Sequence, residues 1–386
     1  MMKRYLSIFI LLAGLLSVSC EEKYVASVTE LQFEKVEPSV GCYGDIVKIY
    51  GRNFSDQFGE NHVWFGDAEA KILEYNKWDL TVVVPKQAVG KYIVKVVTDL
   101  GEVVGPEFEY LMKQKVTTIV GGANGHLDGV GLDARISYPE GVTMDKDGNL
   151  WITERGGSAA TNSIRKMTPD GNLTTVAFTE LPWHGSFNAA GEYHFAAKDK
   201  KTIYKVTSEG VVTPLTITGG TVNVPMEVKF DASDNMWICC RNDSKVLKVT
   251  AGQVVNTYDV KHPTCITFDD AGRAIVGTNY ELANNAGELY LIDGEQVTKI
   301  ADNTKVGFVG GICAAKDGSI YFGDITSKSI RKLIPGADGD YAKGEISTVT
   351  SGLYPSDVYL DERDENILKI YVACATSFVV KRIDIY

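Results

Sequence analysis

Three cations, Arg155, Lys198 and Arg241, fall at the same even spacing that separates Trp151, His194 and Trp237, so they occupy equivalent places in a repeating text. An arc of this kind suits a carboxylate or a sulfate, because a guanidinium offers two parallel donors to a planar anion. Trp183, His184, Asn279 and Tyr280 lie at neighbouring positions of the same repeats. Trp183 or Tyr280 would give a sugar ring a flat apolar face. The competing arrangement pairs each cation with a nearby Asp or Glu at a solvated rim. A second constellation is acidic: Glu140, Glu227 and Asp357 stand at similar heights in different repeats, and three converging carboxylates would bind calcium. Zinc chemistry wants converging histidines, and His62, His126, His184, His194 and His262 are scattered. The chain has no nucleophile elbow, phosphate loop or dinucleotide fingerprint.

The elements that must hold these residues are short strands and turns. The text Tyr138-Pro139-Glu140-Gly141-Val142-Thr143-Met144-Asp145 leads to a turn at Asp147-Gly148-Asn149, a run through Leu150-Trp151-Ile152-Thr153, and Ile164-Arg165-Lys166-Met167. Equivalent starts recur at Pro182, Pro225, Pro263, Val309 and Pro355, and the Trp151 slot is refilled by His194, Trp237, Ile275, Tyr321 and Tyr371. Six copies of a strand–turn–strand–strand unit predict a six-bladed β-propeller, with the slot residues packed between blades. The sixth copy lacks a strand, while Val116-Thr117-Thr118-Ile119-Val120 precedes the first copy without a blade of its own, so the two are expected to complete each other and remove an exposed edge. Asp145-Lys146-Asp147-Gly148-Asn149 reads as a hairpin turn, and Asp324 as a strand-end carboxylate that fixes a turn. In a propeller the loops into each first strand and out of each second strand open on one face, which would gather both constellations beside the channel.

Two resemblances sharpen this. Between residues 25 and 112, Pro38-Ser39-Val40-Gly41-Cys42-Tyr43-Gly44-Asp45, Ile49-Tyr50-Gly51-Arg52-Asn53-Phe54, Val63-Trp64-Phe65-Gly66 and Gly90-Lys91-Tyr92 resemble an IPT/TIG domain, which implies a small immunoglobulin-like β-sandwich. Trp64 and Trp78 are expected to pack in its core or against the next domain. Between residues 113 and 386, Gly121-Gly122, Asp128-Gly129-Val130-Gly131, Ala134-Arg135, Gly148-Asn149-Leu150-Trp151 and Asp317-Gly318-Ser319-Ile320-Tyr321-Phe322-Gly323-Asp324 resemble NHL-repeat propellers. The expected fold class is therefore all-β, a small IPT/TIG sandwich followed by a six-bladed NHL-type propeller.

Residues 1–19 read as a signal peptide: Lys3 and Arg4 precede the apolar run from Leu6 to Leu16. Ser17-Val18-Ser19-Cys20 resembles a bacterial lipobox, which implies lipidation at Cys20, and Glu21-Glu22 resembles an acidic surface-export signal. The order lipobox, IPT/TIG, NHL is similar to the surface lipoproteins of polysaccharide-utilising Gram-negative bacteria. That resemblance implies a lipid-anchored outer-membrane protein at the cell surface that captures polysaccharide without cleaving it, beside an outer-membrane glycan transporter complex and with no cofactor. The alternatives are a calcium-dependent hydrolase or lyase acting in the channel, and an envelope protein-interaction scaffold. A net charge of −11 over 386 residues argues against nucleic acid, which needs clustered cations. The cysteines beyond Cys20 show no metal or disulfide spacing and read as buried fillers.

Overall fold

The computed structural model describes residues 30–157, 161–279 and 286–386, and Cys20, the segment expected to be a signal peptide and Tyr280 lie outside them. The chain divides into two compact units between Leu111 and Met112. Among the described residues the regular elements are β-strands and three-residue 3-10 turns.

The first unit is the immunoglobulin-like sandwich. Strict alternation along Ile46–Arg52 turns Val47, Ile49 and Gly51 inward, where they meet Phe65, Leu80, Val82, Val94, Val96 and Phe108. The strand Ala68–Tyr75 pairs with His62–Phe65 through its first half and with Asp79–Val83 through its second, so one strand serves both layers. Trp78 departs from the expected packing: the Oδ1 of Asn76 accepts the N–H groups of Trp78 and Asp79, and this turn leaves the indole 64% exposed. Trp64 sits between the buried Val63 and Phe65, so alternation turns it outward, with Lys95 Nζ 5.8 Å above its ring.

The second unit is a ring of six sheets. Their inner strands are Pro139–Met144, Pro182–Phe187, Pro225–Phe230, Pro263–Phe268, Val309–Ala314 and Asp357–Asp361, and each touches the next around a closed circle. The slot residues Trp151, His194, Trp237, Ile275, Tyr321 and Tyr371 are all buried. The two tryptophans show why the hairpin before them is built on Asp. Asp145 accepts the N–H groups of Asp147 and Asn149 and, at 3.0 Å, the indole N–H of Trp151, and Asp231 does the same for Ser233, Asn235 and Trp237. One carboxylate thus fixes a turn and orients the large ring that fills the gap between blades. The sixth blade takes its outer strand from the start of the domain: Gln114–Gly121 pairs antiparallel with Val379–Ile385, and the Tyr386 N–H extends the ladder to the Lys113 carbonyl. Cys239, Cys240, Cys265, Cys313 and Cys374 are buried free thiols, and Cys42 is half-buried.

Candidate ligand-binding site

Two backbone devices recur where the inner strands begin. The first is a bulge: pairing slips at Pro139/Gly141, Pro182/Gly185, Pro225/Glu227, Pro263/Cys265 and Val309/Ile312. A bulged residue leaves the ladder and its side chain is re-aimed. Of the residues inside these slips, Glu140, Trp183, His184, Met226, Thr264 and Gly310 line a cavity of ≈ 210 Å³. The second device is a turn. Tyr138, Val224 and His262, each before a proline, adopt left-handed φ of 46°, 49° and 47°. Their carbonyls accept the N–H groups of Arg155, Arg241 and Asn279 at 3.0, 3.2 and 3.1 Å. In these three blades the turn ties the residue after the second strand to the head of the inner strand.

The cavity therefore gathers Arg155, Trp183 and His184 from the expected site, together with Glu140. Lys198 is close by, its Nζ 4.4 Å from the centre of the Trp183 ring. Its ammonium is held below its usual value by burial first, with Asp199 pulling the other way and Arg241 adding like-charge repulsion, and neither Lys198 nor Arg241 lines the cavity. Asn279 is buried beside its turn and does not line the cavity. Ile325, Ser356 and Ala375, which hold equivalent places in the repeats, also line it, as do Phe308, Tyr354 and Thr376, which were not singled out from sequence. Their signal was positional: Phe308 and Tyr354 immediately precede Val309 and Pro355, the slot that Tyr138 occupies before Pro139.

Arg155 is an internal partner of the site. Its Nε donates to Glu140 Oε1 at 2.8 Å, and its guanidinium lies 4.6 Å from the centre of the Tyr138 ring. Burial pushes the Glu140 carboxyl above its ordinary value, and Arg155 pulls it back. The imidazole of His184 is 2% exposed, and its Nδ1 has no hydrogen-bond partner. Burial holds this ring below the usual histidine pKa, so it is neutral at pH 7.

The acidic constellation does not form the shared cation site that its heights suggested. Glu227 Oε2 accepts the N–H of Ile266 on the next blade at 2.6 Å, and Lys229 stands 3.5 Å from its other oxygen. Asp357 accepts the N–H of Val142 across the joint between the last and first blades at 2.9 Å, and that of Val358 at 2.8 Å. Burial pushes the Asp357 carboxyl up to about 7, against these donors and Lys229. Among the described residues, no three His, Cys, Asp or Glu side chains are placed to hold a metal ion. The carboxylates instead stitch neighbouring inner strands together, as Ser186 does through its hydroxyl to the Val228 carbonyl.

His126 belongs to a separate buried network under the first blade. Arg165, with no exposed side-chain surface, donates to Glu154 at 2.7 Å and to Asp128 at 2.8 Å, and also to the Leu127 and Arg135 carbonyls. Glu154 further accepts from the Ser137 N–H and the Ser163 hydroxyl. The fifth blade repeats the plan, with Arg331 reaching Asp324 and the Lys305 carbonyl. Asp324 also accepts the N–H groups of Gly307 and Ser327, so it fixes a turn as its position implied.

Residues 31–110 match the IPT/TIG domain family. No curated sequence matches the chain. Several solved structures share the two-domain architecture. A Bacteroides thetaiotaomicron protein of unknown function is 18% identical over 93% of this chain and 99% of its own, with a TM-score of 0.59. An auxiliary nutrient binding protein from Bacteroides ovatus is 16% identical over 92% and 98%, with a TM-score of 0.58. A putative phosphatase from Bacteroides thetaiotaomicron is 14% identical over 92% and 97%, with a TM-score of 0.55. At these identities the likeness is one of fold, and function has to be argued from the site.

Proposed function

We propose that this chain is a nutrient-binding lipoprotein of the bacterial cell surface that captures glycan at the mouth of its propeller and does not cleave it. The carrying observation is the cavity at the heads of the inner strands: Trp183 and Tyr354 supply aromatic surface, while Ser356, His184 and the Glu140–Arg155 pair supply polar edges. A sugar is amphipathic in the same sense, with C–H groups on its ring faces and hydroxyls round its rim. The solved auxiliary nutrient binding protein from Bacteroides ovatus is similar in fold over nearly the whole of both chains, which supports a related task. In this reading residues 1–19 are removed, Cys20 carries the lipid that anchors the protein in the outer membrane, and the captured glycan passes to a transporter complex.

The test is retention of the soluble form, residues 21–386, on a panel of neutral and acidic polysaccharides with and without calcium, followed by analysis for released products. Retention without products is expected, and Trp183→Ala is expected to weaken it by about tenfold or more, the scale of one lost ring contact. Product formation would replace capture with catalysis. No retention on any polysaccharide would leave the scaffold reading in its place.

A further inference from the structure

We infer that the captured sugar is anionic: a ring bearing a carboxylate or a sulfate, whose oxygens are taken by the two Nη groups of Arg155 while Lys198 supplies a second positive charge nearby. This rests on the glycan-binding reading above and adds to it the charge of the guest and the residues that read it.

The guanidinium of Arg155 is held in place without being used up. Its Nε donates to Glu140 Oε1 at 2.8 Å, and its carbon lies over the Tyr138 ring, 4.6 Å from the centre. Among the described residues it makes no other hydrogen bond or ion pair, so both Nη groups keep their protons to donate. The Arg155 side chain is 39% exposed and lines the cavity, whereas that of Glu140 is 7% exposed. A pair of Nη groups presents two parallel N–H bonds that match the edge of a carboxylate or a sulfate. Because Glu140 and Tyr138 already fix the fork, little side-chain freedom is lost when an anion arrives.

The same protein shows a guanidinium serving two carboxylates. Under the first blade, Arg165 gives one Nη to Glu154 and the other to Asp128. Arg155 has one carboxylate from the chain, and as a side chain that lines the cavity it can take its second from a guest.

Lys198 adds an independent argument. It is half-buried, and among the described residues it has no ion-pair or hydrogen-bond partner; its Nζ lies 4.4 Å from the centre of the Trp183 ring. A partly desolvated cation without a carboxylate gains when an anion binds near it. Lys198 does not line the cavity, but the indole beneath it does. The ammonium is thus one ring away from the guest, on a flexible four-carbon stem.

The rest of the wall sets the body of the guest. Blades three to five contribute Met226, Thr264, Phe308, Gly310 and Ile325, none of them charged. Charge on one side and mainly apolar surface on the other suit a pyranose with one ionised substituent. A neutral sugar would leave the Nη groups to water, and a small inorganic anion would leave the apolar wall uncovered. Long-range attraction does not mimic this selectivity, since a chain of net charge −11 repels polyanions except where cations are gathered.

The experiment uses residues 21–386 and the polysaccharides of the panel. An acidic polysaccharide is expected to be retained, and its retention to weaken by about tenfold or more as sodium chloride rises from about 0.05 to about 0.5 M. Competitors are methyl glucoside, methyl glucuronide and methyl glucoside sulfated at its primary hydroxyl, with the galactose series beside them. An anionic glycoside is expected to displace the polymer at a concentration about tenfold or more below that of its neutral parent, and the better of the carboxylate and the sulfate identifies the group that is read. Arg155→Lys keeps a charge beside Glu140 and removes the fork, while Lys198→Met keeps an unbranched stem over Trp183 and removes the charge. Each should cut the preference for the anion by about fivefold or more. Should Arg155→Lys fail to fold, Lys198→Met, which breaks no ion pair, and the wild-type competition still decide. A neutral parent level with or ahead of its anionic forms, salt-independent retention, retention of neutral polysaccharides alone, or a preference that neither variant reduces would each overturn the inference while leaving glycan capture standing. Failure to retain any polysaccharide would overturn both.

Discussion

Arg165 shows how much a single buried charge can organise. Its guanidinium is spread over two carboxylates and two backbone carbonyls, and through Leu127 and Arg135 it pins the segment before the first blade onto that blade's third strand. Removing one member of a buried pair leaves the other uncompensated, which costs about 3–5 kcal/mol. Arg165→Met is therefore expected to destabilise the propeller by that order, with Glu154 as the stranded group, and urea unfolding followed by tryptophan fluorescence measures it. The residue scale is also where sequence reading was least complete. Arg155 was visible as a cation at the channel mouth, but its commitment to Glu140 was not, since the two meet only because a bulge turns Glu140 out of its ladder. Glu227 and Asp357 were visible as carboxylates at one height. Their partners, the N–H groups of Ile266 and Val142, carry no side-chain signature, and any residue but proline would supply them.

At the scale of elements the hairpin carboxylates make a pH-dependent contribution. Burial alone would raise the Asp231 pKa, but hydrogen bonds from Trp237 and Asn235 and the ion pair with Lys248 outweigh it and hold the group at about 2, below its ordinary 3.8. A depressed folded-state pKa means that the unfolded chain binds the proton more readily, so stability from Asp231 is present in full above about pH 4 and drains away as the pH falls toward 2. Asp231→Ala should cost about 1–3 kcal/mol at pH 7, and the gap from wild type should narrow as the pH falls from about 4 toward 2, as read from denaturation midpoints across that range. Elements were largely legible: each hairpin repeats an Asp-or-Asn turn between β-rich runs, and Trp151 and Trp237 mark the same slot. What spacing did not reveal is the one-residue slip at the head of the first five inner strands. Periodicity records which residues alternate, whereas a bulge is a local break in alternation that looks like noise in a single copy. Trp78 misled for a different reason: an indole reads as a packing residue by its size until the Asn76 turn shows which way the chain bends.

The whole propeller is held closed by one joint, and its two strands differ from every other pairing in the ring. Gln114–Gly121 meets Val379–Ile385 from opposite ends of the domain, and Asp357 reinforces the seam through the Val142 N–H. Val380 is buried in the third strand of the sixth blade, with pairing on both sides. Val380→Pro is expected to cost about 3 kcal/mol or more by deleting a ladder bond in a central strand, which a drop in thermal midpoint checks. Val255→Pro serves as the control, because that residue sits at a slip in an outer strand of the third blade, where proline is tolerated.

The same joint has a consequence for how the ring comes into being. A chain emerging from its N-terminal side presents residues 114–121 first, yet the strand they pair with is made after all six inner strands. For the whole of synthesis that early strand is an unpaired β-edge beside a growing, open row of blades, the condition most prone to pairing with a neighbouring molecule. Closure is the most non-local step in the domain and pays its loop entropy before any contact repays it. The rate at which this protein reaches its native form, and the fraction lost to aggregation on the way, should therefore be governed by how long that first strand waits.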